Sequence, residues 1–233
     1  MSDASPRGAP VIQALALARR FGRRWALAHI DLEVQEGEAL LLTGPNGSGK
    51  TTLLRLLVGL LAPSHGELRV FGLEPARERV SVRRRTAVLA HDLWLYPRLS
   101  AGETLRLWRR LGGERSATGD GERRVAELLA GVSLGESGSL PVGAFSAGMR
   151  KRLALARLRA ERPRLLLLDE PFAALDAEGK ALVAAWLAAQ RAEGVTLIVA
   201  SHALERAVPL CDRAVRLEAG QLVWRGAASE LAA

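Results

Sequence analysis

The sequence predicts an α/β fold: a mainly parallel sheet with a small antiparallel β subdomain and an inserted α-helical subdomain. Three observations carry this. The runs at 39–42, 165–168 and 195–200 are almost wholly apolar, as in strands buried on both faces of a sheet. Strand-like and helix-like segments alternate after Pro163, which implies parallel pairing. Between about 91 and 162 helical spacing of apolar residues takes over, as in Leu105, Trp108, Val125, Leu128 and Leu129.

In chain order, 11–18 alternates loosely and reads as a strand. Residues 19–25 read as a basic turn carrying Phe21 and Trp25, and 27–34 as a second strand. A turn at 35–38 leads to the apolar run at 39–42. Then comes Gly44-Pro45-Asn46-Gly47-Ser48-Gly49-Lys50-Thr51-Thr52, followed by an amphipathic helix from Leu53. A turn at 64–67 precedes a short strand at 68–71, and another strand reads at 86–90. Loops are expected at 112–113 and 117–121, a strand at 165–168, a helix at 177–192 and a strand at 195–200. The division is therefore 1–90 and 163–233 for a core with its β attachment, and 91–162 for the helical part, within one domain of 233 residues.

Composition narrows the class. Basic residues outnumber acidic ones 33 to 25, for a net charge of +8. The arginines are scattered, so they read as a solvated surface, and Arg83-Arg84-Arg85 is too short a cluster to imply nucleic acid. The single cysteine, Cys211, excludes an intrachain disulfide and agrees with a reducing compartment. The first ten residues have no apolar stretch of the secretory type, and no segment offers 18 uncharged apolar residues.

The stretch at 44–52 fits G-x-x-x-x-G-K-[ST], with a strand before it and a helix after it, the context of a P-loop NTPase core. Glycines let consecutive N–H groups turn inward as an anion nest, and the helix N-terminus adds partial positive charge. Lys50 can reach β- and γ-phosphates, and the Thr51 hydroxyl can ligate magnesium. Asp169 closes a buried strand at the edge where α/β sheets place ligands, and a carboxylate there can hold magnesium across from Thr51. Glu170 follows and is suited to orient or deprotonate water. His202 ends another buried strand and could hydrogen-bond a γ-phosphate. Ser146 reads as the N-cap of a basic helix, with Ala147 and Gly148 leaving backbone N–H groups open. The chain thus holds two phosphate-facing helix N-termini and one phosphate loop. The second makes sense if it faces a nucleotide held by another copy.

This ordered set resembles the ATP-binding subunit of ABC transporters, over almost the whole chain. Gly44 to Thr52 matches Walker A, 145–149 the signature motif, 165–170 Walker B with its catalytic glutamate, Ala173-Ala174-Leu175-Asp176 the D-loop, and His202 the switch histidine. Phe21 falls where the family carries an aromatic that stacks on adenine, with Trp25 the weaker candidate. His91 aligns with a family glutamine that senses the γ-phosphate and magnesium. Ala147 and Met149 stand where the signature carries Gly and Gln, which implies reduced activity.

His91, Leu95-Tyr96-Pro97 and the Ser-Ala-Gly signature look like the haem-exporter subunit of cytochrome c maturation, whereas Gly148-Met149-Arg150 looks like drug, polysaccharide or antibiotic exporters. The resemblance implies ATP and Mg2+ as ligands, an ATP-dependent homodimer, integral-membrane partner subunits and a place on the cytoplasmic face of the membrane, with no nucleic acid. The rival class is a non-transport ABC protein acting on ribosomes or DNA. Those carry two cassettes or a long coiled-coil insertion, and this chain shows neither.

Overall fold

The computed structural model describes residues 10–90, 93–112 and 120–231. His91, the loop positions 113 and 117–119, and the polar stretch at 1–9 lie outside them.

The chain opens with a hairpin of β1 (Ile12–Phe21) and β2 (Arg24–Val34), then β3 (Ala39–Thr43), α1 (Lys50–Leu57), β4 (His65–Val70), α2 (Arg79–Arg83) and β5 (Thr86–Leu89). Next come α3 (Ala101–Leu111), α4 (Asp120–Ala130) and α5 (Ala147–Ala160). The chain closes with β6 (Leu165–Asp169), α6 (Ala177–Ala192), β7 (Thr196–Ala200), the one-turn helix α7 (Leu204–Ala207), β8 (Arg213–Glu218) and β9 (Gln221–Ala227). It divides into two compact units. The first takes in 10–88, 163–171 and 187–231, and the second the described residues within 89–162 together with 172–186.

In the first unit, β2, β1 and β4 form an antiparallel sheet, and the larger sheet runs β5-β6-β7-β3-β8-β9. Its centre is parallel: β7 lies between β6 and β3, and β3 pairs parallel with β8. Every residue of β3, β6 and β7 is buried, as their unbroken apolar composition requires. The core joins both sheets to α1 through Ile12, Leu17, Leu40, Leu42, Leu53, Leu56, Leu165 and Ile198. Parallel pairing puts the exits of β3, β6 and β7 on one edge, so the segments after Thr43, Asp169 and Ala200 converge there.

The basic segment at 19–25 is strand rather than turn. Only Gly22 and Arg23 separate β1 from β2, with Gly22 at a φ of 56°. Arginine at strand positions is stabilised here by the aromatics: Arg19 lies over the Phe21 ring at 4.7 Å and Arg20 over Trp25 at 5.5 Å. Trp25 also meets His65, ring centroids 5.7 Å apart. The hairpin β8–β9, turning through Ala219 and Gly220, went unread, because arginines and glutamates punctuate its alternation. Cys211, just before β8, is buried. Burial above all, with Asp212 adding to it, pushes its thiol up to about 12.

In the second unit, α3, α4 and α5 enclose Leu105, Val125, Leu128, Leu129, Leu153 and Leu158. Ser100 caps α3 in a capping box with Glu103: Ser100 Oγ accepts the Glu103 N–H, and a Glu103 oxygen accepts the Ser100 N–H at 2.8 Å. Those bonds hold the Glu103 carboxyl below its usual range. Arg157 is buried with its guanidinium 4.5 Å from the centre of the Trp108 ring. No described helix is long and apolar enough to cross a membrane.

Candidate nucleotide site

The phosphate loop takes its shape from glycine where no other residue fits. Gly44 has a φ of 136°, and a Cβ there would stand 2.0 Å from the Leu217 carbonyl oxygen. Gly49 has a φ of 112°, and its Cβ would meet the Ala26 carbonyl oxygen at 2.6 Å. Both lie in the left-handed region that disfavours a side chain. Gly49 is also the N-cap of α1 and offers no side-chain acceptor, so the first N–H groups of α1 keep their donors for an external anion.

Lys50 is buried at the start of α1, and its ammonium donates to the Gly44 carbonyl at 2.6 Å and the Pro45 carbonyl at 3.0 Å. Burial lowers its pKa below the ordinary lysine value, against the opposing charges of Glu170 and Asp169. The Thr51 hydroxyl donates to Asp169 Oδ2 at 2.7 Å, joining the loop to the end of β6.

Glu170 stands one residue beyond β6 with a φ of 49°, in the left-handed region, and its N–H donates to the Ala200 carbonyl at 2.8 Å. Its Oε2 accepts from the Ser201 hydroxyl at 3.4 Å and the His202 N–H at 3.3 Å. Oε1 is buried, makes no hydrogen bond among the described residues, and lies 3.6 Å from His202 Nε2. That ring nitrogen is also 3.1 Å from Asn46 Oδ1 and 3.5 Å from Lys50 Nζ. The first unit thus brings together Asn46, Lys50, Thr51, Asp169, Glu170 and His202. Pro45, Asn46 and Gly47 are exposed, Ser48 is buried and Thr52 is half-buried. Phe21 is 46% exposed on β1 with Arg19 over its ring, and Trp25 is 42% exposed with its ring engaged by His65 and Arg20.

The chemistry of this donor set fits a nucleotide with magnesium. The glycine cradle would be filled by any Cβ, and a hydroxyl and a carboxylate already face each other at 2.7 Å. Among the described residues no cluster of three metal-binding side chains occurs.

The second unit holds the other helix N-terminus. Ser146 caps α5, its hydroxyl accepting the Met149 N–H at 3.1 Å; Ser146 and Ala147 are exposed. A Cβ on Gly148 would sit 3.0 Å from the Ala174 carbonyl oxygen. Asp176 precedes α6 and accepts the Gly179 N–H at 2.8 Å and Arg152 Nη2 at 2.6 Å, which together hold its carboxyl low. These partners make Asp176 a cap for α6 and an anchor for α5. Sequence reasoning missed Arg152 and Ser201, and the only signals were a basic residue six positions past Ser146 and a hydroxyl beside His202.

Residues 27–173 match the ABC transporter family model. This chain belongs to the ABC transporter family. It is 38% identical over 224 residues to the sulfate/thiosulfate import ATP-binding protein CysA of Methylococcus capsulatus, covering 94% of this chain and 64% of that protein. It is 37% identical to the daunorubicin resistance ATP-binding protein DrrA3 of Streptomyces coeruleorubidus, covering 92% of this chain and 67% of that one. The chain therefore spans about two thirds of the length of these curated relatives. A dimeric ATP-binding cassette in a post-hydrolysis state, bound to ADP and Pi, superposes with a TM-score of 0.84 at 25% identity, over 93% of this chain and 98% of that one. The α/β cassette fold with its mainly parallel sheet and antiparallel β subdomain stands on that match.

Proposed function

We propose that this chain hydrolyses ATP to drive a membrane transporter. One observation carries the reading: Glu170 is tied through Oε2 while its buried Oε1 has no hydrogen-bond partner among the described residues, beside a lysine and a paired Thr51–Asp169. Lys50 and the N-terminus of α1 bind the phosphate chain of ATP. Thr51 and Asp169 are the residues that would hold magnesium, which when bound neutralises charge on the phosphate oxygens. Glu170 Oε1 accepts a proton from the attacking water as its oxygen bonds to the γ-phosphorus and the bond to the ADP oxygen breaks. His202 positions the γ-phosphate through Nε2. Phe21 supplies a face for adenine.

The α5 terminus at Ser146, Ala147 and Gly148 faces the nucleotide of a second copy, as does Asp176. The dimeric state of the superposed cassette supports this. The helical segment at 91–162, with His91 at its entry, passes the motion to integral-membrane subunits on the cytoplasmic face. Relatives bearing sulfate-import and daunorubicin-resistance names support assigning cargo and direction to those subunits. These names do not carry the haem-export subtype, which rests on 95–97, the signature and His91. Co-purification from membranes identifies the partner.

Glu170→Gln tests the central assignment. It keeps the shape of the carboxylate and removes its basicity, so ATP binding should persist while phosphate release falls roughly 10²–10⁴-fold. The variant should accumulate as a dimer with ATP, by light scattering. Wild-type phosphate release would refute the assignment.

A further inference from the structure

We infer that Ser201 is a positioning residue for Glu170, holding its carboxylate so that Oε1 alone meets the attacking water. The inference rests on Glu170 as the base. Ser201 follows β7 and is fully buried. Its N–H donates to the Leu42 carbonyl at 3.3 Å, which fixes it to the end of β3, the strand that leads into the phosphate loop. Its hydroxyl accepts the Ala203 N–H at 3.1 Å. A serine hydroxyl has one proton, and with Ala203 occupying a lone pair that proton is directed to Glu170 Oε2 at 3.4 Å.

The neighbouring His202 N–H donates to the same oxygen at 3.3 Å, and the Glu170 N–H reaches back to Ala200. Three consecutive residues at the exit of β7 therefore grip Glu170, two on one carboxylate oxygen and one on its backbone. The backbone bond helps keep Glu170 at its positive φ, and the two side-chain bonds set the rotation of the carboxylate plane. Without the hydroxyl, one backbone N–H is left to hold Oε2, and the carboxylate can turn so that Oε1 leaves the line of attack. Misplacement of a reacting group costs rate without costing ground-state affinity. Ser201 has no need to touch ATP for this.

The test uses the full chain with Mg-ATP. Ser201→Ala should lower kcat on the order of ten-fold, the scale of a hydrogen bond to a charged acceptor, with KM for ATP unchanged. Ser201→Thr, which keeps a hydroxyl at the same atom, should restore most of kcat. Ser201→Cys, close in size but a weak donor, should behave like alanine, and serves if the alanine variant folds poorly by circular dichroism. In a Glu170→Gln background, Ser201→Ala should cost nothing further. Wild-type kcat in Ser201→Ala or Ser201→Cys, a matched rise in KM, no rescue by threonine, or a full additional loss beside Glu170→Gln would each overturn the inference. If Glu170→Gln itself keeps wild-type kcat, the assignment of the base has failed, and this inference falls with it.

Discussion

The two helix N-termini that face phosphate in this reading are finished in opposite ways. At α1 the capping position is Gly49, in the left-handed region and without a side-chain acceptor. At α5 it is Ser146, in extended backbone, whose hydroxyl already satisfies the Met149 N–H. The first end leaves its donors for a ligand and adds a buried lysine; the second spends one donor on itself and adds no charge of its own in the first turn apart from Arg150, which donates to the Phe145 carbonyl at 2.5 Å. The difference teaches how one chain can hold a strong anion site and a weak one. On the proposed reading, the α1 end would bind phosphate by itself, whereas the α5 end would contribute only once a phosphate is delivered to it.

The comparison can be broken most forcefully at Lys50. Lys50→Ala removes the buried charge of the α1 end, and phosphate release should fall by roughly 10²–10³-fold, the loss seen when one preorganised donor is deleted. A near-wild-type rate would put the two ends on an equal footing and refute the contrast. Next in size is Gly49→Ala. Its Cβ would meet the Ala26 carbonyl at 2.6 Å in a left-handed backbone, so the loss should be about 2–5 kcal/mol. Thermal melting should register this as roughly 5–15 °C, with weakened ATP binding. An unchanged melting temperature would mean that the loop does not need its glycine.

Ser146→Ala is milder in the isolated chain. Losing the cap should cost about 1 kcal/mol, a drop of roughly 2–4 °C. Affinity of the monomer for ATP should not change, and isothermal titration distinguishes this from a role in the α1 site. Smallest of all is Ser146→Gly, which finishes α5 in the manner of α1. Glycine is nearly as good a cap as serine, so only a few tenths of a kcal/mol should be lost. Tighter dimer formation with ATP than in Ser146→Ala, by light scattering in the Glu170→Gln background, would sharpen the contrast. Equal dimerisation would show that the cap itself has no part in it.

Much of the phosphate site was legible because its residues stand at fixed distances from apolar runs. β3, β6 and β7 announce themselves as strands buried on both faces, and Asp169, Glu170 and His202 are found by counting from their ends. Two features were illegible for physical reasons. An arginine-rich strand looks like a turn until the aromatics that shelter its guanidinium groups are seen, which hid the length of β1, and charged residues breaking the apolar alternation hid β8 and β9. Hydrogen bonds between side chains follow rotamers rather than spacing. Ser201 on Glu170 and Arg152 on Asp176 could therefore not be read from the order of residues. The resemblance placed Asp176 at a nucleotide; its partners here lie within its own unit, at Arg152 and Gly179.

The buried thiol of Cys211 has a practical meaning. Maleimides and nitroxide reagents attack the thiolate, and a thiol buried and raised to about 12 offers almost none near neutral pH. Among the described residues the chain has no other cysteine, and the full sequence contains only this one. A cysteine introduced at an exposed position such as Ala147 would therefore be the only reactive handle, with no need to remove the native one. Spin labels placed there could report the distance between two copies directly.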